Sequence, residues 1–192
     1  RVQLNLNGDN SKIFSRTGDD ISHSFPDIIE NSSGKAILDG ELLVGEANEP
    51  AREGLENRFT PYSFNDLQQR LNRKTVVKKH LKELPAYIRV YDILFLDGTD
   101  LRDLPLIERQ QKLSHFLTHN KNPRLDLSTT LPFKTWQELA QKREEGAHKG
   151  IEGVMIKLKT SPYIAGRPKG PWFKWKRDPL LADAILMYAQ RG

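Results

Sequence analysis

Lys174 and Lys176 stand in the stretch FKWKRD, alternating with Phe173 and Trp175. Extended backbone sends successive side chains to opposite faces, so the two ammonium groups share one face and the two aromatics the other. Such lysines are either solvated on a wet sheet face or aimed at a shared anion such as a phosphate. Two carboxylates interrupt apolar strand-like segments, Glu41 in ILDGELLV and Glu152 in GIEGVMIK. A buried glutamate needs a cation. Salt bridges to nearby Lys or Arg would serve, and so would a hard metal ion, with Mg²⁺ held partly through a substrate phosphate the best match to two oxygen donors. Arg16, in FSRTGDD before a Thr-Gly turn, has the side chain for clamping a phosphate. Tyr91, in VYDILFL, suits either a core or a platform for a stacked base. The five histidines show no ligand spacing, and neither GxxxxGK[ST] nor GxGxxG occurs, so a nucleotide would have to be held by side-chain charge.

The elements that must position these groups mix strands and helices without a βαβ rhythm, which predicts an α+β fold with antiparallel sheets. Val2, Leu4 and Leu6 alternate, Asn7-Gly8 supplies a turn, and Ile13-Phe14 begins the return strand of a hairpin. Ala36 to Glu46 reads as a buried strand broken at Asp39-Gly40, and Glu46 to Tyr62 as a loop. A helix follows from Ser63, with Ser63 or Asn65 as N-cap and Phe64, Leu67 and Leu71 inward. It runs into Arg70 to Lys82, a tract with six Lys or Arg, His80 and no acid before Glu83. YIRVYDILFLDGTD is a strand ending in an Asp97-Gly98 turn. Asp103 and Pro105 open a helix that turns Leu106, Leu113, Phe116 and Leu117 inward. Trp136 to Glu145 is a short helix stopped by Gly146, and two strands, Gly153 to Leu158 and Trp172 to Lys176, flank a loop rich in Pro and Gly. Ala182 to Gly192 begins a strand with no partner after it.

A chain of 192 residues with 37% hydrophobic content suits one main domain. No apolar run approaches the roughly 20 residues of a membrane span, the first residues do not form a signal peptide, and zero cysteines exclude disulfides and fit a reducing compartment. The formal charge of +5 is uneven: residues 1 to 120 hold 16 Lys+Arg against 18 Asp+Glu, and residues 121 to 178 hold 13 against 6. A polyanion, nucleic acid first, is the partner such a surplus suggests.

Taken in order, SRTGDD, LDGEL, VYDILFLDG, EGVMIK and WFKWK resemble five collinear motifs of the nucleotidyltransferase (adenylation) domain of ATP-dependent DNA ligases, a superfamily shared with RNA ligases and mRNA capping enzymes. SFNDLQQRLNRKTV followed by RVYDILFLDG is similar to the bacterial members in particular. The resemblance implies antiparallel sheets flanked by helices, with a nucleotide cleft between the sheets. It implies that Arg16 contacts nucleotide or DNA phosphate, that Glu41 touches ribose or metal, that Tyr91 stacks on adenine, that Glu152 helps hold Mg²⁺, and that Lys174 and Lys176 contact the α-phosphate of ATP. The family forms a lysyl-AMP, passes AMP to a DNA 5′-phosphate and seals the nick with the 3′-hydroxyl.

The nucleophilic lysine of that family lies in K-x-D-G-x-R, and no K-x-D-G occurs here. Arg1, followed by a VQL strand, is similar to the arginine that closes the motif, which places the lysine upstream of residue 1 and Arg1 among the nucleotide-binding residues. Residues 1–178 are then the adenylation domain without its N-terminal part, and residues 179–192 the first strand of an otherwise missing OB-fold. The implied partners are ATP and nicked duplex DNA, with the basic tract (Arg70, Arg73, Lys74, Lys78, Lys79) facing the DNA backbone, or else a solvated helix face. A monomer in the bacterial cytoplasm, associated with the nucleoid and not with membrane, is expected. The alternatives are an RNA ligase or capping-type enzyme of the same superfamily, and a non-catalytic nucleic-acid-binding module.

Overall fold

The alternation at the start of the chain becomes a strand pair in the computed structural model, which describes residues 1–48, 56, 58–71, 73, 75–120, 122–128, 130–146, 151–166, 169–178, 188 and 190. β1 (Val2–Asn7) pairs antiparallel with β2 (Lys12–Ser15), and Val2, Leu4, Leu6 and Ile13 are buried on one face. β1 also pairs antiparallel with β3 (Lys35–Ala47), which pairs in turn with β5 (Ala86–Leu96). The remaining elements of this sheet are β4 (Phe59–Pro61) on β3, β6 (Thr99–Asp100) on β5, and β7 (Leu125–Leu127), which runs parallel to β5. The expected loop over Glu46 to Tyr62 therefore starts later and ends sooner than its polarity suggests: β3 continues through Ala47, and Phe59 is buried against Tyr87, the ring centroids 4.4 Å apart.

Five helices are described: α1 (Pro26–Ile29), α2 (Phe64–Leu71), α3 (Lys78–Glu83), α4 (Leu106–His119) and α5 (Trp136–Glu145). Ser63 caps α2, its hydroxyl accepting from the Asp66 N–H at 3.3 Å while the Asp66 carboxylate accepts from the Ser63 N–H at 3.0 Å. Of the expected inward stripe only Leu67 is fully covered. Phe64 is 66% exposed, and the buried volume on that side is taken by Arg70. α4 follows the expected pattern, with Leu106, Leu113 and Leu117 buried, the last two in one core with Leu38, Ile88, Val90 and Ile93.

β3 is not interrupted at Asp39-Gly40 but kinked. Its register with β5 shifts between Ile37 and Leu38 and again between Asp39 and Gly40, so that Leu94 and Tyr91 are extra residues on β5. Core residues on β5 consequently recur as Val90, Ile93 and Leu96, at a spacing of three rather than two. Gly40 permits the close approach: a Cβ there would run into the Ile88 side chain and lie 3.0 Å from the Arg89 carbonyl oxygen.

The chain divides into two compact units where the sequence suggests one main domain, Arg1–Leu131 with Lys157–Pro171 and Pro132–Ile156 with Trp172–Gly192. The second contains α5 and most of a two-stranded sheet of β8 (Gly153–Lys157) and β9 (Trp172–Lys176). Gly146 ends α5 with helical backbone angles, φ −61° and ψ −18°, and not in the left-handed conformation of a glycine stop. The expected strand Ala182 to Gly192 falls outside the described residues, apart from Tyr188 and Gln190.

Candidate active site

In the first unit the chemistry gathers around Asp39. Its side chain is 1% exposed, and Oδ2 accepts from the Arg1 guanidinium at 2.5 Å and from the Tyr163 hydroxyl at 2.8 Å. Arg1 also donates to the Tyr163 oxygen at 2.5 Å. Burial, and then the neighbouring Asp39 carboxylate, push the Tyr163 hydroxyl up to about 12, so it stays protonated and donates at neutral pH. Asp39 Oδ1 is buried with no hydrogen-bond partner among the described residues. The carboxylate that is enclosed on β3 is thus Asp39 and not Glu41, whose side chain is 54% exposed and accepts from the Arg1 main-chain nitrogen at 3.1 Å. Sequence reasoning passes over Asp39 because an Asp-Gly pair also signals a turn, and over Tyr163 because it stands in a loop.

Tyr91 is presented by the second register shift. Burial first, and then the Asp39 carboxylate, raise its hydroxyl well above the ordinary tyrosine range. Lys157 places its ammonium 4.5 Å from the Tyr91 ring centroid, and burial holds that lysine below its usual range. The strand is pinned next to the shift by a pair the sequence does not disclose. Arg109 of α4 and Asp92 are both fully buried, with Nε to Oδ1 at 2.8 Å and Nη2 to Oδ2 at 3.0 Å. Arg109 also donates to the Leu104 and Ser161 carbonyls, at 2.5 and 3.3 Å. One guanidinium therefore ties the strand carrying Tyr91 to the loop carrying Tyr163. Arg16 sits on an exposed turn held by hydroxyls, Ser15 Oγ and Thr17 Oγ1 both donating to Asp19, whose carboxyl they hold below its ordinary range. Among the described residues the Arg16 side chain has no hydrogen-bond or ion-pair partner.

In the second unit Glu152 lies 2.8 Å from Lys174 Nζ and 3.6 Å from Lys176 Nζ, and Lys174 first, then Lys176, hold its carboxyl below the usual glutamate range. The three residues are brought together on β9 and the residue before β8, where the Arg177 N–H donates to the Glu152 carbonyl at 3.0 Å. The expectation that Glu152 is buried fails, since its side chain is 68% exposed. Phe173, expected in a core with Trp175, is 56% exposed, and only Trp175 packs, with the Arg143 guanidinium 4.5 Å from its ring centroid.

The basic tract separates into different roles. Arg70 is fully buried, donating to both Asp27 oxygens at 2.8 and 3.2 Å and to the Ser24 and Leu84 carbonyls, and so cannot face DNA. A cation with no exposed surface is a strut between α1, α2 and the entry to β5, where Asp27 also accepts from the Ala86 N–H. Arg73 is half-buried and donates to the Gln69 carbonyl, Lys78 and Lys79 are exposed on α3, and Lys74 lies outside the described residues.

A family model described as the ATP dependent DNA ligase domain matches residues 1–176. A DNA ligase of Archaeoglobus fulgidus is 31% identical over 192 residues, covering all of this chain and 33% of that protein, and DNA ligase 1 of Korarchaeum cryptofilum is 32% identical, with 34% of its length covered. The chain thus spans about a third of the length of these relatives. Among solved structures, a mycobacterial DNA ligase D complexed with ATP and MES superposes with a TM-score of 0.65 at 23% identity, over 91% of this chain and 50% of that one. A Chlorella virus DNA ligase-adenylate superposes with a TM-score of 0.58 at 18% identity, over 91% and 58%. These likenesses show a shared nucleotidyltransferase fold, and with the family match over residues 1–176 the chain belongs to the ATP-dependent DNA ligase domain family.

Proposed function

We propose that the chain is the adenylation core of a ligase that consumes ATP and seals nicks in duplex DNA. The observation that carries this reading is the pair Lys174 and Lys176, side by side on β9 within reach of Glu152. Within the first unit, Tyr91 and Glu41 on paired strands beside Arg1 support the reading independently. Lys174 and Lys176 offer preorganised positive charge to the α-phosphate as it passes between donor and acceptor. Tyr91 offers an aromatic face to adenine, with the Asp92–Arg109 pair fixing the backbone beside it. Arg1 and Glu41 bound the ribose side.

Mg²⁺ fits the chemistry of the donors. Glu41 in the first unit and Glu152 in the second are each an exposed carboxylate, a hard oxygen donor of the kind that suits an ion completing its shell with phosphate and water. When bound, the ion would neutralise phosphate charge. The nucleophile that receives AMP is a lysine in the family motif K-x-D-G, which the sequence does not contain. The reading therefore predicts that this chain alone retains no label after incubation with α-labelled ATP and Mg²⁺ followed by denaturation. A protein carrying K-x-D-G-x immediately before Arg1 should retain label as lysyl-AMP, pass it to nicked duplex DNA and release it on sealing. Label held by the short chain, or an extended protein that takes up label but seals nicked RNA in preference to nicked DNA, would overturn it.

A further inference from the structure

A groove of about 750 Å³ opens over the face of the first unit's sheet turned away from the core. Its floor is apolar, from Phe14 on β2, Ile37 on β3 and Phe95 on β5, and its margin carries three arginines, Arg1, Arg16 and Arg102. None of the described residues lining it is acidic. Arg1 and Arg16 belong to motifs already discussed. Arg102 belongs to none of them, and nothing in the sequence marks it.

We propose that Arg102 is a phosphate contact beside Arg16 and that the groove takes the sugar-phosphate backbone of a DNA strand; the inference rests on the reading of the chain as a DNA-sealing enzyme. The backbone at Arg102 is fixed, because its carbonyl accepts from the Tyr163 N–H at 2.7 Å and its own N–H donates to Asp100 Oδ1 at 3.0 Å. The side chain is 57% exposed, and its guanidinium is oriented by Asp100, which accepts from Nε at 3.0 Å and from Nη2 at 2.6 Å. That pairing holds the Asp100 carboxyl down to about 2, so the arginine is steered at every physiological pH. Arg16, without a side-chain partner among the described residues, supplies uncompensated charge to the same groove.

A nucleic-acid strand fits this chemistry better than the triphosphate of ATP. A triphosphate brings a divalent ion and calls for a carboxylate or water-filled surroundings to share it, and the groove offers no carboxylate among its described lining residues. A deoxyribose edge presents apolar surface that Phe14, Ile37 and Phe95 can cover, while its flanking phosphates meet planar guanidinium groups able to take them bidentately.

The test compares the full-length parent, Arg102→Ala and Arg102→Lys in three measurements: lysyl-adenylate formation from labelled ATP, nicked-DNA binding by fluorescence anisotropy across a KCl series, and sealing of pre-adenylated nicked DNA. Arg102→Ala should form the adenylate within about twofold of the parent, bind nicked DNA about tenfold more weakly and lower the slope of log K against log salt by about one. Arg102→Lys should restore the slope. A slope unchanged in Arg102→Ala, or a loss confined to adenylate formation, would overturn the inference, the second outcome assigning the groove to the triphosphate. A parent that binds nicked DNA but forms no adenylate would refute the enzymatic reading while the slope comparison still decides the role of Arg102.

Discussion

Glu152 occupies the space between two lysines that the proposed reaction needs for a phosphate. All three side chains are at least half exposed, so the ion pairs hold the arrangement with little energy, of the order of the ~0–1 kcal/mol of surface pairs. A phosphate carrying more negative charge can therefore draw Lys174 and Lys176 away from Glu152. The lowered Glu152 carboxyl means that the pairing is fully present above the ordinary glutamate range, about 4.3, and is lost as pH falls through the lowered folded value. Lys174→Ala should raise the Glu152 titration midpoint toward that ordinary range in a carbon-detected NMR titration. In the full-length protein the same substitution should slow sealing about 100-fold, the scale seen when one preorganised charge is removed from a transition state. A Glu152 midpoint that does not move, together with sealing at the parent rate, would remove Lys174 from the site. Arg70 makes the opposite point: charge in a basic run says nothing of exposure when an aspartate 43 residues earlier, Asp27, accepts from both terminal guanidinium nitrogens.

At the scale of the element, the β3–β5 pairing decides what the site residues face. Gly40→Ala should cost about 1–3 kcal/mol, the range for overpacking a close contact, because the added methyl meets Ile88 and the Arg89 carbonyl. Urea unfolding should show this as a lower midpoint at unchanged m, and an unchanged midpoint would mean that the strands separate at Gly40 at no cost in stability. Much of this architecture is legible in the sequence. The alternation of Val2, Leu4 and Leu6, the Asp97-Gly98 turn with φ of 47° and 88°, the α4 stripe and the β8–β9 pair all follow from local periodicity and turn chemistry. What is not legible depends on distant partners. β4 and β7 are three residues each, too short for a period to show, and exist because β3 and β5 offer edges. The burial of Asp39 follows from Arg1 and Tyr163, which lie 38 and 124 residues away along the chain, and the placement of Tyr91 follows from a register shift that strict alternation forbids. Among the residues proposed for the site, Arg16, Tyr91, Glu152, Lys174 and Lys176 are recoverable by motif, whereas Arg109 and Tyr163 could be found only through the groups they touch.

Over the whole molecule, the basic surplus that the sequence places in residues 121–178 is redistributed by folding. Residues 157–171 join the first unit, so that it carries 22 Lys+Arg against 19 Asp+Glu, and the second carries 8 against 6. Neither unit has enough net charge for a diffuse field to explain the proposed DNA binding, which calls for local clusters where cations outnumber acids. Lys78 and Lys79 on α3 form one such cluster, both exposed, with only Lys79 near an acid among the described residues, Glu83 at 3.8 Å. If this helix lies along DNA backbone, reversing both charges with Lys78→Glu and Lys79→Glu in the full-length protein should weaken nicked-DNA binding and lower the slope of log K against log salt by about two, one for each phosphate no longer neutralised. Adenylate formation should be unaffected, because among the described residues neither side chain has a hydrogen bond or ion pair to a residue proposed to hold the nucleotide, and Lys79 pairs with Glu83. An unchanged slope would return α3 to a solvated surface helix and leave the groove arginines to hold the DNA backbone against the first unit.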